Sequence, residues 1–269
     1  MGEVAETAEF RRPPPPTHFV LVHGLGGGAW CWYKLRVLME SSGYCVSCID
    51  LKSSGIDPTN ADSVLCFDDY NKPLMDLMAS LPETEQVILV GHSAGGLSLT
   101  QAMREFVGKI RAAVFVTATM LRSGFCTDQD VKDGVPDLSE FGDDVYDVSF
   151  GLGFDKPPTS AVLKKEFQRK IIYQMSPHED STLAAMLLKP GPMLALQTAR
   201  FAEENGVIDK VPRVFIKAVH DNVLRLEQQE AMIRKWPPAE TYTLECDHSP
   251  FFSATFLLYG LLVKIAATF

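Results

Sequence analysis

The chain has 269 residues, of which 46% are hydrophobic and 22% charged, enough for one well-buried core with room for an inserted subdomain. Its formal net charge of −9 argues against a nucleic-acid partner, since such a surface cannot neutralise phosphates. Six cysteines lie in or near apolar runs such as CVSCID, without zinc-ligand spacing and without a secretory signal ahead of them. They read as reduced thiols of a cytoplasmic protein, neither a disulfide framework nor a metal site.

In chain order, residues 1–16 read as a flexible tail: MGEVAETAEFRR lacks an apolar stretch, and Pro13 to Pro16 form a short polyproline spacer. HFVLVH (18–23) is a short continuous apolar run, the pattern of a buried parallel strand. A glycine-rich turn, Gly24 to Gly28, precedes an amphipathic helix over Trp30 to Ser42. CVSCID (45–50) is the second strand, on which Cys45 and Cys48 point to opposite faces. A helix follows over Phe67 to Leu81, with Pro73 a candidate for its true start. Then come the strand QVILV (86–90), a helix from Ser93 to about Phe106, and the strand AAVFVTA (112–118). Between 119 and 195 the alternation breaks, with no convincing strand among acidic loops, prolines and helical runs such as Val162 to Gln174. It resumes with RVFIKAV (213–219), a helix over Leu226 to Trp236, ETYTLE (240–245) and a terminal helix. That last apolar run contains Gly260 and Lys264, which suits a buried helix rather than a membrane span. The expectation is an α/β fold: a mostly parallel sheet with helices on both faces, built from 17–118 and 196–269, with an inserted, mainly helical cap at 119–195. Ligands of such sheets bind at the carboxyl ends of the strands.

Gly91-His92-Ser93-Ala94-Gly95 is G-x-S-x-G set between the strand VILV and a helix. In an α/β-hydrolase that setting holds a serine exposed on a sharp turn above the sheet; the plainer alternative is a serine that caps the helix. A nucleophilic serine needs a base. His248 follows the last strand and His220 is its main rival; the chain order serine, acid, histidine of this fold favours His248. The acid should follow the preceding strand, where Asp221 stands. Asp247, adjacent to His248, would point away from it, and Asp209 lies at the wrong end of its strand. The oxyanion donors expected are the backbone N–H groups of Ala94 and of Leu25, the latter in the loop His23 to Gly28. With Ala29 and Asp50 that loop also matches the looser dinucleotide-binding form, a reading that leaves Ser93, Asp221 and His248 unexplained.

The runs HFVLVHG, GAWCWYKL, CIDLKSSGID, VILVGHSAGGLSL and DHSPFF resemble the plant methylesterases, relatives of the hydroxynitrile lyases, over about residues 17 to 267. The resemblance implies a serine carboxylesterase with Ser93, Asp221 and His248 as triad, Leu25 and Ala94 at the oxyanion positions, and a small-molecule ester as its partner. No metal or organic cofactor is implied; the residues give no membrane association, and a homodimer is possible. The runs KDGVPDLSE, GLGFDKPPTSA and EQQEAMIRKWPP are similar to members that act on methyl indole-3-acetate. Gly24 and Ser249 stand where lyases carry a threonine and a lysine, which favours ester hydrolysis over a lyase, while the intact triad argues against the other alternative, a non-catalytic hormone receptor. Gly24, His92, Met120, Phe150 and Phe251 are the candidate substrate contacts.

Overall fold

The computed structural model describes residues 16–202 and 206–269; of the tail expected at 1–16, all but Pro16 lies outside the described residues. The first half runs β1 (His18–Val22), α1 (Tyr33–Ser41), β2 (Cys45–Ile49), α2 (Phe67–Ser80), β3 (Val87–Ser93), α3 (Gly95–Glu105) and β4 (Ile110–Ala118). Next come α4 (Asp128–Gly134), β5 (Tyr146–Ser149), β6 (Ser160–Leu163), α5 (Lys165–Ile171), α6 (His178–Leu187) and α7 (Met193–Gln197). The chain closes with β7 (Arg213–Ala218), α8 (Leu226–Lys235), β8 (Glu240–Leu244), α9 (Pro250–Ser253) and α10 (Thr255–Thr268).

Six strands form one sheet in the order β2-β1-β3-β4-β7-β8, every neighbouring pair parallel. Alternate residues of a strand face opposite sides, and the apolar runs supply both layers. On β1, Val20 and Val22 pack with Leu74 and Met78 of α2 and Met103 of α3, while Phe19 and Leu21 pack with Leu35 and Met39 of α1 and Leu262 of α10. Each such fully buried side chain contributes about 1.5–3 kcal/mol. The chain leaves β1 outward to β2 and returns to β3 on β1's other side, so the topology reverses between β1 and β3. Such a switch point opens a crevice at the strands' carboxyl ends. Among the described residues no helix is long and apolar enough to cross a membrane.

Helix α2 spans Phe67–Ser80, close to the expected Phe67 to Leu81, and runs through Pro73, so the alternative start at Pro73 is not taken. Proline removes one intrahelical donor, and the Tyr70 carbonyl near the break accepts the Lys52 N–H at 3.1 Å. The expectation that needs correction is that the segment between β4 and β7 lacks strands: β5 and β6 pair antiparallel, so the run Val162 to Gln174 divides into the end of β6 and the helix α5. The hairpin is held from outside, because the Asp62 carboxylate accepts from Ser149 Oγ and Ser160 Oγ, each at 2.8 Å.

Candidate active site

Ser93 ends β3 with φ +53°, a left-handed conformation that a non-glycine residue adopts only under constraint. The constraint is steric closeness. A Cβ on Gly95 would stand 2.7 Å from the His23 carbonyl oxygen, so the start of α3 presses directly on the end of β1. Ala94 caps α3, and N–H groups in a helix's first turn have no intrahelical partner. Leu25 sits in the facing turn, closed by the Gly27 N–H on the Gly24 carbonyl at 3.1 Å. Leu25 and Ala94 therefore border the same space as Ser93.

His248 and Asp221 come from the loops after β8 and β7. Both are buried, and His248 Nδ1–H donates to Asp221 Oδ2 at 2.7 Å. That bond fixes the tautomer that leaves Nε2 free as a base. The Asp221 Oδ1 accepts the N–H groups of Val223 and Leu224 at 2.7 and 2.9 Å, and Thr117 Oγ–H donates to Oδ2. The rival His220 is half exposed and pairs with Glu245 at 2.9 Å, away from this cluster. Asp247 turns from His248, as expected, and binds Met175, Ser176, Ser249 and Ser253.

Two more histidines support the site from below. His23 Nδ1–H donates to the Gly24 carbonyl at 2.7 Å while Nε2 accepts the Leu51 N–H at 3.1 Å. His92 Nε2–H donates to the His248 carbonyl at 2.6 Å. Burial lowers the affinity of both rings for a proton; at His92, charge on neighbouring His248 lowers it further, well below the usual histidine range.

Ser93 and His248 open onto a cavity of about 280 Å³. Its wall is largely apolar, with Leu97, Phe125, Leu138, Ile172, Tyr173 and Phe251 contributing. Of the expected substrate contacts, Gly24, His92 and Phe251 border this cavity, and Met120 and Phe150 do not. Met120 is turned into the core beneath α8, its N–H on Met232 Sδ at 3.2 Å, and Phe150 packs on Phe154, ring centres 5.5 Å apart. Sequence reasoning missed Phe125 and Leu224, which follow β4 and β7 and obey the strand-end rule that located the triad. Ile172 and Leu138 carried no comparable signal. Among the described residues no cluster of His, Cys, Asp and Glu could hold a metal ion.

The chain matches the alpha/beta hydrolase family over residues 19–257. It is 57% identical to Methylesterase 17 of Arabidopsis thaliana over 266 residues, covering 98% of this chain and 96% of that one. Among solved structures, the methylesterase protein MES16 from Arabidopsis superposes with a TM-score of 0.84 at 38% identity, covering 94% of this chain and 100% of that one. Tomato Methylketone Synthase I complexed with 2-tridecanone gives a TM-score of 0.86 at 36% identity, over 94% of this chain and 98% of the other.

Proposed function

Because the chain belongs to the alpha/beta hydrolase family and, within it, to the plant methylesterases, enzymes that hydrolyse methyl esters of carboxylic acids, we propose that it does so through Ser93, His248 and Asp221. The observation that carries this assignment is the His248–Asp221 bond of 2.7 Å, with His248 bordering the same cavity as Ser93. Ser93 Oγ attacks the ester carbonyl while His248 Nε2 takes its proton. The N–H groups of Leu25 and Ala94 receive the oxyanion, at about 3 kcal/mol of transition-state stabilisation each. Collapse returns the proton from His248 to the departing oxygen, releasing methanol and leaving an acyl group on Ser93. Water, deprotonated by His248, then frees the acid. Ser249, beside His248, supplies no cation for a cyanide leaving group, which favours the esterase over a lyase.

The substrate we propose is methyl indole-3-acetate. The support is the resemblance of KDGVPDLSE, GLGFDKPPTSA and EQQEAMIRKWPP, together with the cavity. Its volume of about 280 Å³ lies near the small end of ligand pockets, and its apolar wall suits a flat, neutral ring. A cytoplasmic location is proposed on the six unpaired cysteines, a state that reducing compartments maintain. Specificity constants for methyl indole-3-acetate, methyl jasmonate and methyl salicylate, measured on one preparation, test the substrate. We expect the first to be highest, and a preference of about tenfold for either other ester overturns the choice. Ser93→Ala should abolish turnover of all three in a folded protein; persistence near the wild-type rate would overturn the mechanism.

A further inference from the structure

Opposite the nucleophile, β4 leaves the register of its ladder. His92 pairs with Val116 and Ser93 with Ala118, so Thr117 is an extra residue on β4. An extra residue of this kind is a bulge, a device that re-aims a side chain. Thr117 also has φ +37°, a region that branched side chains avoid unless their surroundings impose it. It is completely buried, and its side chain reaches across to the loop after β7, where its hydroxyl donates to Asp221 Oδ2. That same oxygen receives His248 Nδ1–H. The other carboxylate oxygen is fixed by two backbone N–H groups. Among the described residues only Thr117 and His248 are bonded to Oδ2, so Thr117 is what holds that oxygen independently of the base.

We propose that Thr117 is a positioning residue of the triad. Its strained, bulged backbone exists to place one hydroxyl on Asp221 Oδ2, so that the carboxylate is held in the plane that His248 requires. The proposal rests on the triad reading given above. Strain at this place is concentrated where the site gains from it: the bulge lies beside the nucleophile, and Thr117 does not border the cavity. Its loss should therefore act on the chemical step and leave substrate binding alone.

The test compares Thr117→Val, Thr117→Ser and Ser93→Ala with the wild type on one methyl ester. Thr117→Val keeps the shape and removes the donor; we expect kcat to fall about tenfold or more with KM within about twofold. Thr117→Ser keeps the donor and should bring kcat back to within about threefold of wild type. The deshielded proton of His248 Nδ1 in the ¹H NMR spectrum should move in Thr117→Val and stay in place in Thr117→Ser. If Thr117→Val does not fold, Thr117→Ala is read in the same way. A folded hydroxyl-free variant with wild-type kcat overturns the inference, as does a Thr117→Ser enzyme as impaired as Thr117→Val. Ser93→Ala separates the two levels. Turnover surviving in it overturns the triad reading and this inference together, whereas an inactive Ser93→Ala beside a fully active Thr117→Val overturns only the role of Thr117.

Discussion

Gly24 leaves a gap that the nucleophile fills. A Cβ at this position would stand 2.8 Å from Ser93 Cβ and 3.1 Å from His92 Nδ1, closer than packed carbon atoms tolerate. Neither neighbour can yield easily, since Ser93 is fixed by its left-handed turn and His92 by its bond to the His248 carbonyl. Gly24→Ala should therefore push Ser93 off its line to the ester carbonyl, at an overpacking cost of about 1–3 kcal/mol. We expect kcat to drop at least about tenfold, because small displacements of reacting atoms are expensive. Steady-state kinetics beside a thermal melt check this, and an unchanged kcat would show that the gap is not needed. Ser93 and Asp221 were legible in the sequence because they stand at the ends of apolar strand runs, and His248 because it follows the last strand in the chain order of this fold. Met120 and Phe150 were misread because bordering the cavity depends on the path of the intervening chain, which no local pattern records.

Elements meet at the segment between α5 and α6. Asp247 is completely buried, and its Oδ2 accepts the Met175 N–H at 2.9 Å and Ser176 Oγ–H at 2.8 Å. Its Oδ1 accepts the Ser249 N–H at 2.9 Å and Ser253 Oγ–H at 2.6 Å. Gln174 Nε2–H reaches the His220 carbonyl at 2.5 Å, and Asn222 Nδ2–H the Lys170 carbonyl at 3.2 Å. One stretch is thus pinned to both loops that carry the acid and the base, and Ile172 and Tyr173 of that stretch form cavity wall. Asp247→Asn would turn an amide NH₂ toward two donors. We expect a loss of about 2–4 kcal/mol in folding stability, from unpaired buried groups, with a higher KM as the wall loosens. Urea unfolding and KM measurements decide the matter; stability and KM both at wild-type values would refute it. The strand–helix alternation of the sheet was readable because its period and its burial agree. The β5–β6 hairpin was not, because its strands are only four residues each, β5 is largely exposed, and the carboxylate that holds it, Asp62, is distant in sequence. Pro73 likewise marks a helix start by local rule, yet α2 continues through it in the packed molecule.

At the scale of the whole molecule, the reversal between β1 and β3 forces two histidines into the interior, and this sets how stability responds to acid. His23 follows β1 and His92 lies on β3, both buried beneath the site. In each, a proton would cost more than an ordinary desolvation. Protonated His23 would turn an N–H against the Leu51 N–H that it now accepts, and His92 lies with its ring centre 4.6 Å from that of His248. Burial is the leading cause of the lowered proton affinity at both rings, with the His248 charge adding at His92. An unfolded chain takes up these protons as pH falls through about 6.5. The folded chain resists them, so below that pH the unfolded state binds more protons and stability rises with pH. The contribution is fully present above about pH 6.5 and is lost as pH falls below it, at about 1.4 kcal/mol per pH unit for each ring that stays neutral. Unfolding free energies from urea titrations at pH 8, 7, 6 and 5 should be level across the first two and decline across the last two. His92→Asn should make that decline shallower, since one of the two rings no longer titrates. A wild-type profile that stays level from pH 7 to 5 would mean that the rings accept protons in the fold, and that the packing around Leu51 does not require a neutral His23 Nε2 as its acceptor.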